Sequence, residues 1–319
     1  MTTLQVRVTR KTMEAEGICS FELVRVGGQP LPAFGAGSHV DVAVPGGPVR
    51  PYSLCNDPAE SHRYLIAVLK DAASRGGSAG MHERVNEGDT LSISAPKNHF
   101  ALAHDAKRHL LLAGGIGITP LLCMAERLAS AGADFYLHYC TRSAARTAFR
   151  DRIAAAPFAP QVHFHFDDGT AVQKLDIAAL LAAPAPGQHV YVCGPQGFIE
   201  AVLSTARARG WAEAQLHCEF FGAAPPPPGG DNAFEVMIAS SGRVVPVAAG
   251  RTVVQALADA GVTVLTSCEQ GVCGTCLTRV IDGQCDHRDQ YLTPEEQAAN
   301  ALFLPCCSRA KSKRLVLDL

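Results

Sequence analysis

Residues 266–278 read TSCEQGVCGTCLT, which sets Cys268, Cys273 and Cys276 in a C-x4-C-x2-C spacing, and a vicinal pair, Cys306 and Cys307, follows further along. Three thiolates on one loop and a fourth on a distant strand is the arrangement that holds a 2Fe-2S cluster. Gly271 and Gly274 suit such a loop, because glycine takes positive φ freely and lets backbone N–H groups face the negatively charged inorganic sulfides. Inert buried thiols would scatter rather than fall into this register. A zinc site is the sharper competitor, but zinc knuckles use paired C-x2-C or C/H spacings, which the four-residue gap does not match. Spacing alone leaves Cys306 and Cys307 both open as the fourth ligand.

Around this loop the chain has 319 residues, enough for two or three domains that each bury a core. The hydrophobic fraction is 47%, the charged fraction 18% and the net charge −2, which describes a globular chain and gives no basis for nucleic-acid binding. The N-terminus MTTLQVRVTRKT alternates like a strand and lacks a signal-peptide core. No apolar run is long enough to span a bilayer. Twelve cysteines without a secretory signal point to a reducing cytoplasm, with no disulfides and no membrane association expected.

Residues 1–103 read as an antiparallel β-barrel. Short alternating runs at 4–8, 20–24, 39–44, 64–68 and 90–94 are strand-like, and a helix is expected near 78–85. Two stretches depart from ordinary core chemistry. Arg50, Tyr52 and Ser53 put a cation, an aromatic ring and a hydroxyl along one strand. Arg75, Gly76, Gly77 and Ser78 form a glycine turn into the helix, with Ser78 as its expected cap, and a helix N-terminus with bare N–H groups beside an arginine suits a phosphate.

Residues 104–222 change to an α/β pattern. The apolar run 109–113 enters Gly114, Gly115, Ile116, Gly117, Ile118, Thr119 and Pro120 before a helix, so strand, glycine turn and helix present an N-terminus to a pyrophosphate. Further strands are expected at 135–140, 162–166 and 189–193, the last breaking at Gly194 and Pro195. Strands alternating with helices imply a parallel sheet with ligands at its carboxyl ends. Residues 223–230, AAPPPPGG, form a proline-rich spacer. Residues 231–319 read as an α+β domain, with a hairpin, a short helix, the cysteine loop and a closing strand.

Together these motifs resemble the phthalate dioxygenase reductase and vanillate O-demethylase reductase family, within the ferredoxin reductase superfamily. The resemblance covers the whole chain and rests on RPYS, SRGGS, GGIGITP, YVCGP, EFFG, SCEQGVCGTC, GQCDHRDQYL and the CSRAKSKRLVLDL end. It implies a multidomain protein: a flavin-binding barrel, an NAD(H)-binding α/β domain and a β-grasp ferredoxin of the plant type. Arg50, Tyr52 and Ser53 would then lie along the isoalloxazine, with Arg75, Gly76, Gly77 and Ser78 at the phosphate, favouring FMN over FAD. Gly114, Gly115, Gly117, Thr119, Cys193, Gly194 and Pro195 would receive NADH, and Phe221 would pack on the flavin face. Ser53, Thr119, Cys193 and Phe221 are thereby expected next to the reacting atoms. Cys306, preceding x-S-R-A by one residue, would complete the cluster with Cys268, Cys273 and Cys276, leaving Cys307 and Cys285 as ordinary thiols.

The family implies a monomeric NADH-dependent oxidoreductase that passes electrons through FMN and the cluster to a separate Rieske non-haem iron oxygenase. No facial-triad or Rieske pattern accompanies the cluster here, so substrate oxidation belongs to another polypeptide. A cytochrome P450 is the alternative acceptor, and a non-catalytic electron carrier or redox sensor is the alternative class. Glu269 to Thr275 are the expected docking face, with Arg309, Lys311, Lys313 and Arg314 as neighbouring cations.

Overall fold

The computed structural model describes residues 3–74, 76–222 and 231–319, which divide into two compact units, 1–219 and 220–319. The spacer at 223–230 and Arg75 lie outside the described residues.

The first unit begins with β1 (Thr3–Ala15), β2 (Ile18–Arg25), β3 (Ser38–Ala43), β4 (Val49–Ser53), β5 (Tyr64–Leu69), α1 (Gly77–Arg84), β6 (Thr90–Ser94) and β7 (Lys97–Asn98). The strands run β4-β3-β6-β1-β2-β5, with β7 on β3, and every pairing is antiparallel. Alternation decides the faces: Leu4, Val6 and Val8 of β1 are buried while their neighbours Thr3, Gln5 and Arg7 face out. A bridge between Leu54 and Ile66 joins the end of β4 to β5 and brings the sheet's outer strands together. The barrel core holds Phe21, Leu23, Val40, Tyr64, Ile66 and Met81.

Then come β8 (Arg108–Gly114), α2 (Ile118–Ser130), β9 (Asp134–Thr141), α3 (Arg150–Ala154), β10 (Val162–Phe166), α4 (Ile177–Leu180), β11 (Gln188–Cys193), α5 (Gln196–Ala208) and β12 (Leu216–Glu219). All pairings are parallel, in the order β10-β9-β8-β11-β12. The chain leaves β8 toward β9 on one side and later returns to place β11 on the other. That reversal opens a crevice at the carboxyl ends of β8 and β11, where ligands bind in such sheets. α2 buries Ile118, Leu121, Leu122, Ala125 and Leu128, the helical spacing of an inward stripe, against this sheet. Its core also contains Ile18, Ala36, Cys55, Ala67 and Phe100 from the preceding barrel segment, so barrel and parallel sheet share one apolar interior.

The second unit contains β13 (Phe234–Ile238), β14 (Val244–Val247), α6 (Val253–Asp259), β15 (Thr278–Asp282), β16 (Cys285–Asp286), α7 (Pro294–Ala299), β17 (Leu302–Phe303), β18 (Arg309–Ala310) and β19 (Arg314–Leu317). Its mixed sheet runs β14-β13-β19-β15-β17, with β13 and β19 parallel and α6 packed across it, the β-grasp arrangement expected from the sequence. α6 starts on a capping box in which Thr252 and Gln255 each bond the other's backbone N–H.

Candidate functional site

The flavin-site residues expected in the barrel gather where β4 meets the start of α1. Arg50 and Tyr52 are half-buried and Ser53 is buried. Burial pushes the Tyr52 hydroxyl up to about 12, so the ring is neutral at physiological pH. Gly77 lies against the Arg50 side chain, since a Cβ there would come within 3.0 Å of Arg50 Cγ. Two motifs far apart in sequence thus form one surface.

The helix cap differs from expectation. Gly76 is the N-cap residue, at φ 91°, a left-handed conformation that favours glycine. Ser78 is already inside the helix, and its Oγ accepts from Asp71 N at 3.1 Å. A left-handed cap demands glycine more strongly than a side-chain oxygen, and two consecutive glycines satisfied that demand first.

Arg84 was not expected here. Its guanidinium reaches back along α1 and donates to Gly76 O at 3.3 Å, passing over Gly80, where a Cβ would overlap it. The signal was present as Gly76, Gly80 and Arg84 on one helical face.

The glycine turn after β8 is a close-approach device. A Cβ on Gly117 would fall on the backbone of Cys193 and Gly194, one on Gly114 would come 2.8 Å from Pro195 Cδ, and one on Gly194 would come 2.8 Å from Gly114 Cα. The GGIG and CGP segments therefore touch backbone to backbone at the mouth of the crevice. Gly115 takes φ 54° with open space around it. Thr119 is buried and its hydroxyl donates to Ile116 O at 3.1 Å, so it braces the turn. Cys193 is fully buried, and burial holds its thiol well above the ordinary value. Pro195 is exposed at the N-cap of α5.

At the crevice a hydrogen bond joins the two halves of this unit. Cys193 and Glu219 are register partners on β11 and β12, and Ser53 Oγ donates to Glu219 Oε2 at 3.4 Å. Burial raises the Glu219 carboxyl to about 8, with the Ser53 hydrogen bond opposing. Sequence reading passed over Glu219, because only the parallel topology sets it beside Cys193. Phe221 is 40% exposed and falls in the second unit.

In that second unit all four expected cluster ligands are buried: Cys268 at 3%, Cys273 at 8%, Cys276 at 4% and Cys306 at 4% exposure. Gly271 and Gly274 take φ 73° and 69° as expected. Gln270 N donates to Cys268 Sγ at 3.3 Å, so backbone dipoles face the sulfur. Hydrogen bonding from Cys273, then Cys306, holds the Cys268 thiol below its ordinary value, and Cys306 likewise lowers Cys276. Among the described residues, no three or more His, Cys, Asp or Glu side chains are disposed about a single-ion position. The four sulfurs form one connected set, Cys268 with Cys273 and Cys306, and Cys306 with Cys276, which suits four thiolates gathered on one cluster. Leu292 and Leu304 wall the site with apolar surface.

Cys307 is half-buried with its thiol against Gly271, and Cys285 packs in the β-grasp core. Arg309, expected as a docking cation, is instead 5% exposed, and donates to the carbonyls of Asn232 at 2.9 Å, Ala248 at 3.2 Å and Arg251 at 2.5 Å. Three carbonyls and Asp231, 3.5 Å away, hold it inside. Lys311 and Lys313 are exposed, and Arg314 pairs with Glu235.

Residues 236–311 match the family described as a 2Fe-2S iron-sulfur cluster binding domain. Residues 94–216 match the N-terminal domain of dimethylamine monooxygenase subunit DmmA-like proteins. The vanillate O-demethylase oxidoreductase of Pseudomonas sp. (strain HR199 / DSM 7063) is 54% identical, over 99% of this chain and 100% of that protein. The solved structure of phthalate dioxygenase reductase superposes with a TM-score of 0.79 at 40% identity, covering 99% of this chain and 98% of that one. An intact type IV self-sufficient cytochrome P450 monooxygenase superposes with a TM-score of 0.84 at 40% identity, covering 99% of this chain and 41% of that one. With cysteine loop, parallel-sheet crevice and barrel strand all in place along its whole length, the chain belongs to the family of vanillate O-demethylase oxidoreductase and phthalate dioxygenase reductase, the reductase components of multicomponent oxygenases.

Proposed function

We propose that this chain takes electrons from NADH through FMN and its 2Fe-2S cluster to a separate Rieske oxygenase that acts on an aromatic or demethylatable substrate, and that it works as a cytoplasmic monomer. The observation that carries the reading is the Ser53 to Glu219 hydrogen bond at 3.4 Å, because it sets the barrel strand of Arg50 and Tyr52 beside Cys193 at the mouth of the crevice. When bound, flavin and cluster supply the conversion of a two-electron hydride into single electrons.

The chain's own residues do the positioning. Arg50 and the Gly76 and Gly77 turn present a cation and helix N–H groups suited to a terminal phosphate, with Arg75 expected beside them. That favours FMN. Gly114 and Gly117 let the turn pack on the Cys193 and Gly194 backbone, while the open space at Gly115, just before α2, leaves room for a pyrophosphate beside buried Cys193. Glu219, with its carboxyl raised to about 8, holds its proton at neutral pH next to the Ser53 hydroxyl. A neutral pair there avoids placing a negative charge where hydride must arrive.

Cofactor preference rests on the ends of β9 and β10. Asp167 N and Asp168 N donate to the carbonyls of Thr141 and Arg142, so two exposed carboxylates stand beside the strand end where an adenosine ribose is expected. They would repel a 2′-phosphate. Arg146, a cation that follows β9, is paired with Glu16 at 3.0 Å rather than held open for such a phosphate.

Anaerobic stopped-flow mixing with NADH tests the scheme: flavin absorbance should bleach first and cluster absorbance after it. FAD in the released cofactor, or NADPH preferred in kcat/KM, would overturn the corresponding assignment. The match of 99% of this chain to 41% of a self-sufficient P450 supports a second reading, in which the acceptor is a P450 haem. Turnover with a Rieske oxygenase but not with a P450 decides between them.

A further inference from the structure

Asp289 is used by nothing above, yet its side chain is 0% exposed and it touches both segments that carry the cluster cysteines. On one side, its Cα and Cβ lie 3.0 and 3.1 Å from the position a Cβ would take on Gly271, midway along the Cys268 to Cys273 loop. The next residue reinforces this, since Gln290 N donates to Gly271 O at 3.0 Å. On the other side, Asp289 Oδ1 accepts from Ser308 Oγ at 3.1 Å, two residues beyond Cys306. Ser308 Oγ also accepts from Arg288 N at 3.0 Å, and Ser308 N donates to Leu304 O, which fixes the turn that presents Cys306.

The second carboxylate oxygen, Oδ2, accepts from Leu292 N at 2.9 Å. The buried ring of His287 lies alongside, with Nδ1 3.5 Å from Oδ1 and neither ring nitrogen otherwise hydrogen-bonded among the described residues. A buried carboxylate is costly unless several donors meet it, so a carboxyl at this point is a demanding choice if all it does is fill space. An asparagine would fit the same volume.

We propose that Asp289 is a positioning residue for the 2Fe-2S cluster: it ties the Gly271 loop to the Cys306 turn, and its buried negative charge lowers the cluster's reduction potential. The proposal rests on the cluster reading given above. Reduction adds one electron to an already anionic cluster, and a fixed negative charge in the same low-dielectric surroundings opposes that addition. Second-shell hydrogen bonding and charge are known levers on such potentials. The nearby arginines are taken up by other carboxylates, Arg288 by Asp286 and Asp231 and Arg309 by Asp231, which leaves His287 as the basic group beside Asp289.

The test is spectroelectrochemical titration of the intact holoprotein, with iron and sulfide content measured alongside. Asp289→Asn keeps shape and acceptor capacity at Oδ1 but removes the charge; it should retain iron and the visible circular dichroism of the cluster while its midpoint moves to higher potential. Ser308→Ala keeps the charge and removes one tether; it should speed loss of cluster absorbance on exposure to a chelator. An Asp289→Asn protein that holds its cluster at the wild-type midpoint overturns the electrostatic role. Should Asp289→Asn not retain the cluster, Asp289→Glu, which restores the charge, must recover iron and the wild-type midpoint; failure of both to do so overturns the proposal. Wild-type protein free of iron and sulfide would refute the cluster reading itself, a separate outcome.

Discussion

Replacing Gly117 by alanine isolates what the crevice demands of its backbone. The added methyl would fall on Cys193 O, Cys193 C and Gly194 N. All three are main-chain atoms, so no rotamer change relieves the overlap, and either the start of α2 or the end of β11 must move by about 1 Å. Overpacking of this kind costs about 1–3 kcal/mol. For a unit the size of residues 1–219 each kcal/mol lowers Tm by about 2–4 °C. A drop of about 2–12 °C in thermal unfolding is expected. The functional loss should be larger in proportion, because a misplacement of about 1 Å between reacting groups costs about 100-fold in rate. Flavin content should stay at the wild-type level, since Arg50, Tyr52 and Gly77 lie on other elements. Gly132→Ala is the matched control. Gly132 follows the far end of α2 at φ 64° with nothing within 4 Å, so it carries only backbone strain of about 1 kcal/mol. Stopped-flow reduction of the flavin by NADH compares the two. Wild-type reduction by Gly117→Ala, or equal impairment of Gly132→Ala, would refute the close-approach argument.

Three further outcomes are expected. Because the folded state holds Glu219 at about 8 against an ordinary 4.5, it binds an extra proton between those limits, and stability should fall as pH rises through that window and level off above it. At about 1.4 kcal/mol per unit the ceiling is about 5 kcal/mol, and the partial exposure of Glu219 keeps the true loss below that. Urea midpoints of Glu219→Gln from pH 5 to 9 should lack this component of the slope. Serine at Cys268, Cys273, Cys276 or Cys306 should abolish reduction of cytochrome c while NADH still bleaches the flavin, and Cys307→Ser should keep its iron; a cluster that needs Cys307 and not Cys306 would reverse the ligand choice. Reversing Lys311 and Lys313 to glutamate should slow reduction of the partner oxygenase at low salt and less so as screening rises, and a rate insensitive to both charge and salt would move the docking face elsewhere.

Much of this was legible in the residues themselves. The C-x4-C-x2-C loop, the alternation of β1 and the strand, glycine turn and helix at 108–130 are local patterns, and local sterics and hydrogen bonding suffice to set them. Gly271 and Gly274 took positive φ because their loop must turn its N–H groups inward, a demand readable from the spacing. Other features depend on what approaches from elsewhere in the chain. Ser78 lost its expected capping role to Gly76 once the turn took a left-handed residue, and Arg309 left the solvated edge because three carbonyls from distant segments converge on it. Glu219 and Asp289 stand inside quoted motifs, EFFG and GQCDHRDQYL, but nothing in the sequence gives either one a role. The first acquires its neighbours from the register of β11 on β12, and the second from the folding of residues 287–290 against both cysteine segments. Sequence determined which chemistry each segment can perform, since spacing and residue type act over a few bonds. Only the tertiary structure decided which charges sit beside that chemistry, because burial and long-range pairing exist only after the chain has closed on itself.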